Sequence, residues 1–292
     1  MKLFEGLEAI VKVDEPLAPH TWFNLGGPAA YFVRPRNVEQ LQEVVRRCGE
    51  NELPMRVLGG GANLLVDDAG VKGAVIQLTQ DAFGDSAFVE GGVQAGAGAD
   101  MSKLVLRCVR EGLSGLECLT GIPGTVGGCV KMNAGGAFGD IGSVVESVEV
   151  MNDTGEVFTR YRDDLAFAYR STNISATFIL GGKFRLIEDD PHRILKQVKQ
   201  IWIYKKNSQP LGKGNAGCIF KNPRGLSAGA LIDRAGLKGK RVGGAYVSHK
   251  HANFILADPG AKASDVLKLI NIVRETVYKA SEVYLELEIE VW

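Results

Sequence analysis

Hydrophobic positions follow two rhythms along the chain, and the changes between them mark the elements. Residues 29–33, Ala-Ala-Tyr-Phe-Val, form a short apolar run that predicts a strand. Asn37 follows, a residue whose side chain suits a helix N-cap, and Val38, Leu41, Val44, Val45 and Cys48 then share one face at helical spacing. Pro54 ends that stretch. Residues 55–58 predict the next strand and 75–78 another, so the chain opens as a βαβ-like lobe that closes near residue 80. Short strands are predicted around Phe88 and Gln94, and Asp100 caps a second helix with Met101, Leu104, Val105, Cys108 and Val109 inward. Turn-rich strands come next, including 147–151, with a hairpin signal at Asp153-Thr154-Gly155, and 177–187.

Pro191 has the fixed φ that suits a first helical turn, and it opens a longer helix with Ile194, Val198, Ile201 and Lys205 at helical spacing. A domain boundary is expected near residue 200. Beyond it, strands are predicted near 217–221 and 252–257, and a helix from Ser264 turns Val266, Leu269, Ile270, Val273 and Val277 inward. A last strand, 283–291, alternates Val283, Leu285, Leu287, Ile289 and Val291 with Tyr284, Glu286, Glu288 and Glu290, which gives one buried and one polar face. The pattern predicts an α+β or mixed α/β protein in three lobes, 1–80, 81–200 and 201–292.

Composition narrows the class. The chain has 292 residues, 45% hydrophobic and 23% charged, an ordinary balance for a globular protein. Lys+Arg and Asp+Glu number 34 each, so no overall field points to nucleic acid or an anionic membrane. No apolar run reaches the roughly 18 residues of a membrane helix. The opening Met1-Lys2-Leu3-Phe4-Glu5 lacks the apolar stretch of a signal peptide, and a cytoplasmic protein is expected. The five cysteines (Cys48, Cys108, Cys118, Cys129, Cys218) are odd in number and show no C-x-x-C spacing, which argues for reduced thiols over disulfides or zinc. His249 and His251 lie close in sequence, but nothing completes a ligand set, and no metal is expected.

Glycine is the outlier, with 37 residues, about 13% against a usual value of about 7%. The excess is clustered, which suggests backbone brought close to a ligand; a fibrous repeat would be periodic. One cluster is Leu58-Gly-Gly-Gly-Ala-Asn-Leu-Leu-Val66, directly after a predicted strand. The other is Leu119-Thr-Gly-Ile-Pro-Gly-Thr-Val-Gly-Gly128, continuing to Met132-Asn-Ala-Gly-Gly136. Loops free of bulky side chains let successive amides converge on phosphate oxygens, and two such loops suit a pyrophosphate. The alternative is tight turns in a strand-rich fold. Neither G-x-G-x-x-G in a strand-to-helix context nor G-x-x-x-x-G-K-[ST] occurs, so a Rossmann site and a P-loop are unsupported.

These two clusters, with His20-Thr-Trp-Phe-Asn-Leu-Gly-Gly27, resemble the UDP-N-acetylenolpyruvoylglucosamine reductases in order and spacing. The resemblance continues through Tyr169-Arg170-Ser171, Asn215-Ala-Gly-Cys-Ile-Phe-Lys-Asn-Pro223, 228–239, 243–254 and 287–291, from about residue 18 to the end. It implies a two-lobed FAD-binding domain of the vanillyl-alcohol-oxidase (PCMH-like) kind, followed by a smaller α/β substrate-binding domain. It also implies an oxidoreductase in which NADPH reduces non-covalent FAD, and reduced flavin then gives hydride to the enolpyruvyl methylene carbon of UDP-N-acetylglucosamine enolpyruvate. Protonation of the resulting enolate yields UDP-N-acetylmuramate for peptidoglycan. On this resemblance Leu58, Gly59, Gly60, Gly61, Ala62, Asn63 and Leu64 bind the cofactor, together with Gly121, Ile122, Pro123, Gly124, Thr125, Gly128, Asn133, Ala134 and Gly135. A covalent flavin is not expected, since neither loop contains histidine.

The catalytic residues follow from the same resemblance. Arg170 clamps the substrate carboxylate, a task its planar guanidinium can perform bidentately; read alone, it is a surface arginine. Glu286, Glu288 and Glu290 share one face, and only the family's Leu-x-x-Glu-Val frame selects Glu290 as the catalytic glutamate. Cys218 stands where the family usually has the serine that protonates the enolate carbon. A thiol, with an ordinary pKa of about 8.5, is far more acidic than an alcohol yet mostly protonated at neutral pH; the competing role is a small buried hydrophobe. Tyr169, Lys205, Lys221, Asn222 and His251 fall at substrate-binding positions. Lys205 and Lys206 are also explained as solvated cations at a helix C-terminus, and Asn222 as a turn residue before Pro223. Ala257 replaces a frequent asparagine. The short 223–245 segment resembles the compact branch of the family.

The competing functions are another FAD oxidase or dehydrogenase of the same fold and a non-catalytic nucleotide-sugar-binding protein. The first calls for a different C-terminal domain, and the second leaves Arg170 and Glu290 without purpose. A monomer with a small-molecule substrate and no nucleic-acid or membrane partner is expected.

Overall fold

The computed structural model describes residues 3–212 and 214–292. They gather into two compact units, each with its own hydrophobic core: one of residues up to 13, 31–60 and 73–204, the other of residues 14–30, 61–72 and from 205 to the end.

Among the described residues, a four-stranded sheet runs in the order Val11–Pro16, Pro28–Val33, Val71–Gln77, Met55–Leu58. Met55–Leu58 pairs in parallel with Val71–Gln77, Met55 opposite Ala74, so a third strand separates the two that flank the first helix. That helix is Val38–Glu50. Asn37 Oδ1 accepts the Gln40 amide at 2.9 Å, and of the predicted stripe Leu41, Val44, Val45 and Cys48 are fully buried and Val38 is half-buried. A second, antiparallel sheet of five strands has the order Val157–Tyr161, Val145–Met151, Phe178–Arg185, Gly92–Gly96, Ser86–Val89. The strand expected over 177–187 divides into Phe178–Arg185 and a two-residue piece, Ile187–Glu188. Asp100 caps helix Met101–Arg110 through the Lys103 amide, and the inward face is the predicted one.

Helix Val126–Lys131 has no periodic signal, because its Val-Gly-Gly-Cys-Val-Lys sequence carries two glycines, each worth about 1 kcal/mol less than alanine in a helix. Packing overrides propensity there. A Cβ on Gly127 would lie 2.8 Å from the Ala97 Cβ, and the Gly127 amide donates to the Ala97 carbonyl at 2.9 Å.

In the second unit, helix Ala263–Ser281 buries Val266, Leu269, Ile270, Val273 and Val277 as predicted. Its first amides, those of Ala263 and Ser264, donate to the two carboxylate oxygens of Asp68 at 2.8 and 3.1 Å. A three-stranded sheet orders Arg241–Val242, Ala245–Val247 and Ile255–Ala257, and a short helix, Ala228–Arg234, is capped by Ser227. The strand expected over 252–257 is therefore only Ile255–Ala257, since the Phe254 amide closes a turn onto the His251 carbonyl.

Two predicted strands shrink further. Of 283–291, only Glu290–Val291 forms a ladder, parallel to Leu64–Leu65, with a single bridge from Leu287 to Phe220. Of 217–221, only Phe220 bridges. Gly217, at φ +77°, breaks the extended path just before it. The burial alternation survives, with Leu285 and Ile289 buried and Tyr284, Glu286 and Glu290 exposed. Alternation reads burial, and burial does not require a continuous ladder.

Candidate active site

In the first unit, Gly59 and Gly60 of one glycine-rich segment meet Gly124 and Thr125 of the other. A Cβ on Gly60 would lie 2.9 Å from the Gly124 Cα, where main chain lies against main chain and only glycine fits, and one on Gly59 would lie 2.9 Å from the Thr125 side-chain Oγ1. Gly124 has φ +133°, and no atom lies within 4 Å of where its Cβ would stand. The amides of Gly60, Gly121, Gly124 and Thr125 donate to no acceptor among the described residues. Unpaired, half-buried amides grouped in this way make an anion-binding concavity.

Arg170 also belongs to the first unit. It is the second residue of a two-residue turn, Tyr169-Arg170, which joins the short antiparallel strands Phe167–Ala168 and Ser171–Thr172. Its φ is +55°, the left-handed region where a turn normally places glycine or asparagine. A long side chain held there costs on the order of 1–3 kcal/mol and persists only where its surroundings enforce it. The guanidinium lies 5.0 Å from the Tyr169 ring centroid.

Cys218 and Glu290 are both in the second unit. The amide of Lys221 donates to the Glu286 carbonyl at 2.9 Å, and that of Glu288 to the Ile219 carbonyl at 2.8 Å, around the antiparallel Phe220–Leu287 bridge. That bridge sets the register of the two segments, with Cys218 two residues before Phe220 and Glu290 three residues after Leu287, beyond bends at Ile219 and Ile289. The buried Asn253 fixes that register. Its Oδ1 accepts the Phe220 amide at 3.0 Å, its Nδ2 donates to the Phe220 carbonyl at 2.8 Å, and its own carbonyl accepts the Ile219 amide at 2.8 Å. Asn215 shapes the approach to Cys218 in the same way, accepting from the Gly217 amide and donating to the Gly212 carbonyl, both at 2.9 Å. Neither asparagine was singled out from the sequence. Both lie inside resembling segments, 215–223 and 243–254, without a signal of their own.

Comparison with known proteins decides between the readings. The profile described as "UDP-N-acetylenolpyruvoylglucosamine reductase, C-terminal domain" matches residues 209–292, and the one described as "FAD binding domain" matches 29–160. The UDP-N-acetylenolpyruvoylglucosamine reductase of Syntrophobacter fumaroxidans is 45% identical over 96% of this chain and 83% of its own length. That of Carboxydothermus hydrogenoformans is 40% identical over 99% and 96%. The chain belongs to the UDP-N-acetylenolpyruvoylglucosamine reductase family. The crystal structure of the family's enzyme from Thermus caldophilus superposes with a TM-score of 0.83 at 40% identity, covering 97% of this chain and 98% of the other. A Phl p 4 variant, a glucose oxidase, shares the FAD-binding fold alone, at 16% identity and a TM-score of 0.50 over 65% of this chain. The fold is thus α+β, an FAD-binding domain joined to the reductase's C-terminal domain.

FAD is the cofactor of this family, and the cradle suits it: the amides of Gly60, Gly121, Gly124 and Thr125 would hold the pyrophosphate. Other residues placed at the cofactor by resemblance are tied into the protein. Leu58 is buried at a strand end; Ala134 donates to the Cys129 carbonyl at 2.8 Å; Gly135 pairs with Asp140. Asn133 spends both side-chain polar atoms on main chain, accepting from Gly142 at 3.0 Å and donating to Ala168 at 2.9 Å. In the second unit, a Cβ on Gly61 would strike the His20 carbonyl, and Asn63 Nδ2 donates to the Glu288 carbonyl at 3.1 Å.

The substrate-side residues differ in how free they are. Lys221 Nζ lies 3.8 Å from Glu286, which occupies one of the three glutamates on the final face. Asn222 Oδ1 accepts the Ala228 amide at 3.0 Å, at the start of helix Ala228–Arg234. Lys205 is 94% buried near the end of helix Pro191–Ser208, which weakens its alternative as a solvated cation. Burial lowers the pKa of His251 and keeps its imidazole neutral. Its Nδ1 accepts the Asn253 amide at 3.3 Å, so the proton falls on Nε2, which becomes a donor. Burial raises three thiols, Cys48 to about 11, Cys108 and Cys129 to about 12. Cys218 is the half-buried thiol among the five. Among the described residues, no three His, Cys, Asp or Glu side chains come together as a metal site.

Proposed function

We propose that Arg170, Glu290 and Cys218 divide the work of this family's reaction on the substrate. The chain is an oxidoreductase that uses FAD and NADPH to reduce UDP-N-acetylglucosamine enolpyruvate to UDP-N-acetylmuramate, a step of peptidoglycan precursor synthesis. Bound FAD supplies the hydride chemistry, accepting from NADPH and giving to the enolpyruvyl methylene carbon. The residues handle the charge and the proton that follow. Arg170 pairs with the substrate carboxylate and stabilises negative charge as it develops there. Glu290 polarises the same carboxylate, and the Cys218 thiol gives its proton to the enolate carbon, closing the D-lactyl ether. Tyr169, Lys205, Lys221, Asn222 and His251 bind the substrate, His251 as a neutral Nε2–H donor.

What supports this reading most is the Phe220–Leu287 bridge, which joins the segments that carry Cys218 and Glu290 and is held by the buried side chain of Asn253. The units 1–80, 81–200 and 201–292 are retained as functional divisions, two for the cofactor and one for the substrate. The enzyme acts as a monomer in the cytoplasm, where NADPH and nucleotide sugars are made. The test compares Cys218→Ser and Cys218→Ala in the two half-reactions. Flavin reduction by NADPH stays at the parent rate in both. Reoxidation by the enolpyruvate slows in Cys218→Ala by about 10²- to 10⁴-fold, the usual worth of a general acid, and far less in Cys218→Ser. Equal reoxidation rates in all three proteins would remove Cys218 from the mechanism.

A further inference from the structure

We infer that Asn133 is a positioning residue that ties the glycine-rich cofactor segment to the turn presenting Arg170. Asn133 ends the second glycine-rich stretch just after helix Val126–Lys131, where its own amide closes onto the Val130 carbonyl at 3.1 Å. It is 98% buried and has φ +43°, a region asparagine tolerates better than other side chains. From there the side chain reaches across the first unit. Oδ1 accepts the Gly142 amide at 3.0 Å, and Nδ2 donates to the carbonyl of Ala168, two residues before Arg170.

Gly142 is part of the same lock. A Cβ on it would lie 2.5 Å from the Phe167 ring and 2.8 Å from Asn133 Oδ1, so the strand leading into the turn packs directly on this joint. Arg162 Nη1 donates to the Gly142 carbonyl at 2.6 Å, with its guanidinium 5.5 Å from the Phe167 ring centroid. The turn needs such support. A two-strand hairpin of two residues per strand is too short to hold a strained loop by itself, yet Arg170 occupies the left-handed region. An asparagine with both polar functions bonded to main chain at two separated points is a rigid brace. It makes the position of the Arg170 backbone depend on the cofactor segment, and it gives this side chain a task other than contact with the flavin.

The inference rests on Arg170 being the residue that clamps the substrate carboxylate, and the variants are chosen to separate the two. Asn133→Gly tolerates the positive φ but removes both side-chain bonds; Asn133→Asp keeps an acceptor for Gly142 and loses the donor to Ala168. Arg170→Lys is the control. Each holoenzyme is assayed for bound FAD by absorbance, anaerobic reduction by NADPH, and reoxidation by UDP-N-acetylglucosamine enolpyruvate. Both Asn133 variants retain FAD and keep the NADPH half-reaction within about threefold, while reoxidation slows by about 10- to 100-fold, the scale of an ångström-sized misplacement. Loss of FAD with normal reoxidation in the loaded fraction, or equal slowing of both half-reactions, would overturn the brace and return Asn133 to the cofactor. Undiminished reoxidation in Arg170→Lys together with slow reoxidation in the Asn133 variants would overturn the Arg170 reading, and the brace with it.

Discussion

The five cysteines show how much a residue's role depends on where the chain leaves it. Cys48, Cys108 and Cys129 lie in apolar surroundings that push their thiols up to about 11, 12 and 12, so they remain protonated and inert at neutral pH. Cys118 is buried as well, and Cys218 is half-buried, two residues before the Phe220 bridge. Titration of the native enzyme with a thiol reagent at pH 8 is therefore expected to modify Cys218 first, identified by mass mapping, and saturating substrate is expected to slow that modification. Prior labelling of Cys108 or Cys129 would contradict the burial pattern. None of this was legible in the sequence, where the five cysteines look alike; only the resemblance set Cys218 apart. Glu290 is similar. Alternation placed three glutamates on one face, of which Glu286 lies 3.8 Å from Lys221.

At the scale of elements, the legible parts were those whose signals are local. Helices Val38–Glu50, Met101–Arg110 and Ala263–Ser281 announce themselves by a 3.6-residue apolar period, and the first two also by an N-cap residue. The cap of the third was hidden, because Asp68 supplies it from far away in sequence. Desolvation pushes the Asp68 carboxyl up, but the Ser264 and Ala263 amides outweigh it and hold the pKa below its ordinary value. A depressed folded-state pKa adds stability that is present above the unfolded value, about 3.9, and is lost as pH falls through the folded one. Asp68→Ala is accordingly expected to lower stability by about 1 kcal/mol at pH 7, as loss of a helix cap does, and to narrow that deficit below pH 4. Urea unfolding at pH 7 and pH 3 measures both, and a deficit independent of pH would contradict the cap. Strands were less legible because their partners are remote. The Asn253 side chain substitutes for a neighbouring strand at Phe220, and no pattern within 217–221 reveals that.

For the whole molecule, composition excluded much and identified little. Even charge and scattered cysteines ruled out broad classes, while clustered glycine pointed to a bound phosphate without naming its owner. The structure packs Gly59 and Gly60 against Gly124 and Thr125 in one unit, and sets Cys218 and Glu290 in the other. The family relationship supplies the reaction that needs both parts. The most direct measurement of that account is the visible spectrum of the purified protein through one turnover without oxygen. A yellow protein should lose its absorbance near 450 nm (the flavin band) on addition of NADPH and regain it when UDP-N-acetylglucosamine enolpyruvate is added, with one equivalent of UDP-N-acetylmuramate formed per flavin. A colourless protein that takes up no FAD, or a bleached one that the enolpyruvate leaves reduced, would contradict it.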